Sequence, residues 1–385
     1  MSSTTGSGTA KKSIPLAVPW PAVVAAGVCA VAALVGFQAR HPRPLRGDYP
    51  SSALITAWSG WDGEWYERIA TQGYWYAGPE VQSPVAFFPG YPLAIRALAA
   101  VGFDTWVAGA LISLLSGLGA AALFQRWAHR VSGAPGVASW ATALLALHPF
   151  AFYLYGVLYA DALFLFLALG AFTALEEGRV VPAMLLGALA TATRPVAPAL
   201  VVGLLVRWIE LRRRSGQRPH AVEALPVLAA LGLVAYAAYL GFAFGDPLAF
   251  AHVQAAPGWD QPPGPTTWLK VAFWDIVSVT VSRAVALRLI GHAYYALLWL
   301  VLVVPAQRRL GWGYALYLLA VTGMPTLSSK DFMGLGRYVL AGFPAFLTLA
   351  LLLQETPRLR IGWLVASGAL LVALAYAFGT GAYVA

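Results

Sequence analysis

Two stretches of this chain, 16–37 and 225–244, each run for some twenty residues without a single Asp, Glu, Lys or Arg. At 1.5 Å per residue, a helix of that length covers the ~30 Å hydrocarbon layer of a bilayer. Inside that layer water cannot satisfy the backbone, so only helices or closed barrels are available. Unbroken apolar runs, without period-two alternation, select helices. The remainder of the chain agrees. Of 385 residues, 59% are hydrophobic and 11% charged, against roughly a quarter charged in ordinary soluble domains. We read an all-α polytopic membrane protein.

Hydropathy places about eleven crossings, near 16–38, 104–125, 136–152, 158–175, 180–193, 196–210, 222–244, 290–306, 312–327, 338–354 and 361–379. The fifth and sixth are short, and Thr193-Arg194-Pro195 stands between them, where proline breaks a helix. This predicts a hairpin bent at that tripeptide. Residues 1–15 read as a flexible tail, and 16–385 as one transmembrane domain.

The net charge of +9 is explained by position. Lys11 and Lys12 place the N-terminus in the cytosol by the positive-inside rule. Alternating from there puts Arg126, Arg130, Arg179, Arg207, Arg212, Arg213, Arg214, Arg218, Arg308, Arg309, Arg358 and Arg360 in short cytosolic segments, while most acidic residues fall outside. The charge is topogenic, and no nucleic-acid partner is expected. Cys29 is the single cysteine, which excludes an internal disulfide framework, and the six histidines show no paired metal-ligand spacing. No metal or cofactor is expected.

The outer segments, 39–103 and 245–289, are long and rich in Trp, Tyr, Asp, Pro and Gly. Irregular loops on a rigid scaffold are where binding and chemistry concentrate. In the first, Trp61, Trp65 and Ile69 recur at i, i+4 and i+8, the pattern of an amphipathic interfacial helix. Glu64 has Arg68 four residues on, a plausible structural partner. Asp62 falls in the first turn, where a carboxylate either complements the helix dipole or, held at the membrane boundary, accepts a proton from a hydroxyl.

The run Trp61-Asp62-x-x-x-Tyr66-x-x-Ile69-Ala70-x-x-Gly73-Tyr74, followed by Ala86-Phe87-Phe88-Pro89-Gly90-Tyr91-Pro92-Leu93-x-x-Arg96, resembles the signature of the PIG-V family. These are the GPI mannosyltransferase II enzymes and their bacterial relatives, integral-membrane glycosyltransferases of the GT-C class. Tyr159-Ala160-Asp161, Thr193-Arg194-Pro195, Gly245-Asp246-Pro247-Leu248-Ala249-Phe250 and Gly336-Arg337-Tyr338 match in family order. Trp65-Tyr66 and Ala160-Asp161-Ala162 stand where eukaryotic members usually carry a histidine and Ser/Thr-Glu-Ser, a departure that bears on the acceptor more than on the reaction. Usage of 21 Arg against 4 Lys suggests a GC-rich bacterial source.

The resemblance implies a GT-C-like fold and transfer of a sugar, mannose first, from a polyprenyl-phosphate sugar to an acceptor hydroxyl on the outer face. The acceptor would be lipid-, glycan- or protein-linked. It also implies Asp62 as the general base, with inversion at the anomeric carbon. Arg337 could fork onto the donor phosphate, with Tyr338 beside it and Lys330 as a second charge, or could anchor at a span boundary. Arg194, flanked by apolar sequence, needs a partner or a polar cavity. Asp161 is that partner, or Arg194 reaches the donor. Trp61, Glu64, Asp161, His252 and Gln254 are possible substrate contacts. Asp246 before proline reads more readily as a turn former, and His148 as either a satisfied helix-end residue or a functional one. A lipid or glycan transporter is the alternative, although intramembrane charges are few and no inverted repeat is visible. A non-catalytic subunit of the same fold would lack the acid at position 62.

Overall fold

The structure, a computed structural model, describes residues 16–40, 52–216, 221–279 and 282–384. The expected tail at 1–15, with Lys11 and Lys12, lies outside them. Among the described residues there are helices and turns and no strand.

A helix stands at each of the eleven expected positions, which bears out the all-helical membrane class. Five helices are long and apolar enough to cross a bilayer: Trp20–Gln38, Thr105–Ser132, Leu225–Phe244, Arg283–Leu310 and Pro357–Gly379. The expected span at 338–354 is instead two pieces, Leu335–Ala341 and Pro344–Leu352, bent by 89°. Proline cannot donate into the preceding turn, and the chain turns there. Counted as one, the pair makes a sixth. Pro135–Ala146 and Val180–Thr191 are shorter apolar helices. The break expected at Thr193-Arg194-Pro195 is present, between Val180–Thr191 and Ala197–Arg214.

Thr105–Ser132 is capped at both ends. Asp104 accepts hydrogen bonds from the backbone N–H groups of Trp106 (3.0 Å) and Val107 (3.1 Å) to start Thr105–Ser132. Gly133 closes it in the left-handed conformation. The first and last long helices lie against one another through small residues. Ala22, Ala25, Ala26, Cys29, Ala32, Ala33 and Gly36 are the buried face of Trp20–Gln38. Such faces let membrane helices approach closely.

The central Asp161–Glu176 helix, packed against Thr105–Ser132 and Val180–Thr191, carries an ion network at each end, roughly 22 Å apart at 1.5 Å per residue. At one end Arg207 bonds Glu176 (2.5 Å) and Glu210 (3.1 Å), and the Tyr314 hydroxyl donates to Glu176 (2.7 Å). Arg207 is thus buried and paired rather than a loop charge. At the other end stands Asp161.

Candidate active site

Asp161 opens its helix, where the N-terminal end of the dipole favours a carboxylate. It is only 5% exposed, and two arginines meet it. Arg194 Nη1 hydrogen-bonds Asp161 Oδ1, and Arg337 Nε lies 3.9 Å from Oδ2. Arg337 then reaches outward, its Nη1 donating to Asp62 Oδ2 at 3.2 Å. The result is one chain of alternating charge, Arg194–Asp161–Arg337–Asp62. Its inner three side chains are at most 10% exposed, while Asp62 is 29% exposed.

Each charge is placed by its local sequence. Arg194 stands in the break ahead of Pro195, a position proline biases away from the helix. The carbonyl of Ala192 in this break accepts from Gly90 N–H (2.7 Å), so the Pro89-Gly90-Tyr91-Pro92 turn docks on it. Arg337 sits in a four-residue helix, Leu335–Tyr338, whose Gly336 N–H donates to His292 Nδ1 (2.9 Å). A Cβ on Gly336 would lie 2.2 Å from the Phe150 ring, so only glycine fits where the motif requires it. Asp62 begins Asp62–Gln72, and its backbone N–H donates to the Tyr159 hydroxyl (3.1 Å).

Aromatic rings enclose the guanidinium groups. Arg337 Cζ is 4.6 Å from the Tyr159 ring centre, 4.8 Å from Tyr338 and 5.2 Å from Tyr153; Arg194 Cζ is 5.1 Å from Tyr338. Such contacts favour the cation electrostatically without neutralising it. Arg337 Nη2 also donates to the Tyr338 hydroxyl (3.2 Å), while its Nε–H has no hydrogen-bond partner among the described residues. A buried donor left open is a place for an oxygen ligand.

The structure thus brings Asp62, Asp161, Arg194, Arg337 and Tyr338 together. Glu64 lies on the first turn of the Asp62 helix. Trp61 departs from expectation. It precedes the helix with φ +64°, so it is not part of a stripe with Trp65 and Ile69. Ile69 is buried in the protein, and Trp65 stacks on Phe87 (5.7 Å) and meets Trp259 (6.1 Å). Lys330 is engaged elsewhere, donating to Asp260 (3.1 Å). His252 Nδ1 pairs with Asp246 Oδ2 (2.7 Å), which also receives the Tyr76 hydroxyl (3.3 Å). Slight burial works against ionisation of Asp246, but these bonds and the Leu248 N–H outweigh it and hold the carboxyl below the usual range. Gln254 donates to Phe250 O at 3.5 Å. His148 is buried against Tyr295, Trp299 and Phe346.

Sequence reasoning missed Tyr153, Tyr383, Lys270 and the supporting role of His292. Tyr159, two residues before Asp161 in a matched motif, had a signal; Tyr383, in the short segment past the last helix, had none. Lys270 is buried within 245–289. Its ammonium donates to the carbonyls of Thr267 (3.1 Å) and Ser329, bracing the loop that leads to Arg337. Burial pushes it down to about 8. Among the described residues, no group of three or more His, Cys, Asp or Glu side chains is arranged to hold a metal ion.

Residues 44–206 match the family described as Mannosyltransferase (PIG-V). The GPI alpha-1,6-mannosyltransferase 2 of Cricetulus griseus is 34% identical over 151 residues, 37% of this chain and 29% of that protein. The Homo sapiens protein of the same name is 32% identical over the same shares. The chain therefore aligns with less than a third of these relatives' length. A crystal structure of ArnT from Cupriavidus metallidurans bound to undecaprenyl phosphate superposes with TM-score 0.53 at 16% identity, over 93% of this chain and 64% of that one. That likeness shows the fold, and the GT-C-like expectation holds. The resemblance read from the motifs at 61–96, 159–161 and 193–195 is borne out; those at 245–250 and 336–338 fall beyond the matched stretch.

Proposed function

We propose that this PIG-V-like chain of GT-C-like fold is a membrane glycosyltransferase that moves a sugar, mannose first, from a polyprenyl-phosphate sugar to an acceptor hydroxyl, with Asp62 as general base. The observation that carries the reading is the Asp62–Arg337 pair: a partly exposed carboxylate held 3.2 Å from a buried guanidinium. One group can take a proton, and the other can receive a phosphate. The mannosyltransferase relatives support the sugar, and the undecaprenyl phosphate bound by the fold-similar ArnT supports a donor of that lipid class.

In this reading the acceptor oxygen loses its proton to Asp62 as it attacks the anomeric carbon from the face opposite the phosphate. The bond from that carbon to the phosphate oxygen breaks, and its electron pair leaves with the polyprenyl phosphate. Configuration inverts. Negative charge gathers on the departing phosphate, where Arg337 with its open Nε–H, supported by Arg194, offsets it. Lys330 would have to leave Asp260 to contribute. Asp161 holds both arginines in place. The long outer segments and the basic inner loops support an extracytoplasmic site and a cytosolic N-terminus, with 16–385 acting as one domain.

The test is transfer from radiolabelled polyprenyl-phosphate mannose to a membrane-lipid extract, by purified protein in nanodiscs. Asp62→Asn keeps shape and removes the base. We expect transfer by the wild type and a loss of about 10²–10⁴-fold in the variant. Equal transfer by both would overturn the role of Asp62, and donor binding without transfer by either would favour a transporter.

A further inference from the structure

Trp61 is held in a conformation that nothing in the folding of its helix requires. Its φ of +64° and ψ of −116° lie in a region that residues with a Cβ rarely adopt, and it is the residue immediately before Asp62. Such strain persists only where the surroundings fix it, and it collects at functional sites. Here the surroundings are visible. The indole is 4.7 Å from the Tyr383 ring at a tilt of 58°. Tyr383 is fixed in turn: its carbonyl accepts from Arg288, and the preceding turn is closed by Ala382 N–H to Ala377 O (3.1 Å). The ring thus stands against the residue that immediately precedes Asp62.

Trp61 nonetheless remains 43% exposed. The neighbouring tryptophans do not: Trp58 is buried, and Trp65 is covered by Phe87 and Trp259. An exposed tryptophan in a membrane protein is ordinarily an interfacial anchor. An anchor, however, needs neither a strained backbone nor a partner ring. An aromatic face carries negative potential, and the axial C–H groups of a pyranose present a weakly positive, apolar face of matching size.

We propose that Trp61 and Tyr383 form a stacking platform for the pyranose ring of the donor, setting its anomeric carbon against Asp62. The proposal rests on the transfer reading above and adds to it the element that distinguishes a sugar-loaded lipid from a bare one. Arginine would hold the phosphate in both lipids, and the bare monoester carries the larger negative charge, so the ring contact is read from how a Trp61 substitution changes the ratio of the two affinities.

The experiment measures that difference directly. Full-length protein in nanodiscs is titrated with polyprenyl-phosphate mannose and with bare polyprenyl phosphate, each competing against the radiolabelled bare lipid. The reading is each protein's preference, the ratio of its affinities for the loaded and the bare lipid, whose charge difference is the same for every variant. Trp61→Gly accepts the positive φ without strain and removes the ring, so it should fold at least as well and lose about five- to tenfold of that preference. Trp61→Phe and Tyr383→Phe, which keep a ring, should retain most of it; Tyr383→Ala should not. Binding of the bare lipid should be unchanged throughout. A preference intact in Trp61→Gly would overturn the platform, as would equal weakening of both lipids by that variant. A wild type that binds the bare lipid and not the loaded one would also overturn the platform while leaving the phosphate site standing. A wild type that binds neither would overturn the transfer reading, and the platform with it.

Discussion

Asp161 is the residue on which the charge chain depends. Replacing it with Leu removes the carboxylate that touches both arginines, and the consequence for each is different. Arg337 keeps Asp62 at 3.2 Å. Arg194 keeps no carboxylate within 4.0 Å among the described residues, only the Tyr338 and Phe164 rings. A guanidinium 10% exposed is then left without a counter-ion. Breaking a buried pair from one side costs about 3–5 kcal/mol, whereas removing both partners together is often neutral. With an unfolding entropy near 2.1 cal/mol/K per residue over 385 residues, that cost corresponds to roughly 4–6 °C in Tm. We therefore expect Asp161→Leu to melt about 4–6 °C below wild type, Arg194→Leu to fall as well, and the double variant to melt above Asp161→Leu. The assay is tryptophan-fluorescence melting of all four proteins in one detergent at one scan rate, read as a double-mutant cycle. Additive losses, or an Asp161→Leu protein within about 1 °C of wild type, would refute the argument that this is a coupled, buried pair.

Three further expectations follow from the same geometry. Arg337→Lys keeps the charge but loses the planar fork that reaches Asp62 and Tyr338 together; kcat/KM for transfer should fall roughly tenfold to hundredfold, the worth of one or two charge-assisted hydrogen bonds. Gly379→Val should cost about 1–3 kcal/mol and reduce transfer as well, because even a Cβ there would lie 2.1 Å from Ala33 O and force apart the helices that position Tyr383, an effect visible in both Tm and rate. For Lys270, burial lowers the folded-state value from 10.5 to about 8, so between those values the unfolded chain holds a proton that the folded chain has released. Stability from this group then rises with pH across that window, and the Tm advantage of Lys270→Met over wild type should shrink from pH 7 to pH 10.

The helices were legible because each apolar run is long and its ends carry visible stops, such as Asp104 before Thr105 and Pro195 after Arg194. The Arg194–Asp161 pair could be found because charge in apolar sequence is costly and must be satisfied, whereas Asp62 and Arg337 were found through the motifs that resemble the PIG-V family. The misreadings came from longer range. Trp61 fits a helical period, but a positive φ leaves no mark on periodicity. Lys330 read as an available charge and Arg207 as a cytosolic loop charge because Asp260 and Glu176 come from other elements, although Glu210 stands three residues on in Arg207's own helix. Tyr383 reaches the site only because Trp20–Gln38 and Pro357–Gly379 pack glycine to backbone, a tertiary fact with no local signature.

The charge chain also constrains the order of events in the proposed transfer. Its four members, two arginines and two aspartates, sum to zero, so the unliganded site is balanced. In that state Arg337 occupies one oxygen of Asp62. A phosphate arriving at Arg337 brings surplus negative charge to the same guanidinium and competes for it. The Asp62 oxygen is then released to meet the acceptor hydroxyl. Donor binding should therefore precede effective acceptor binding. In initial-rate kinetics, an acceptor analogue lacking the reacting hydroxyl should then be competitive against the acceptor and uncompetitive against the donor. Noncompetitive inhibition against the donor would mean that the two substrates bind in either order, and that Arg337 does not gate the base.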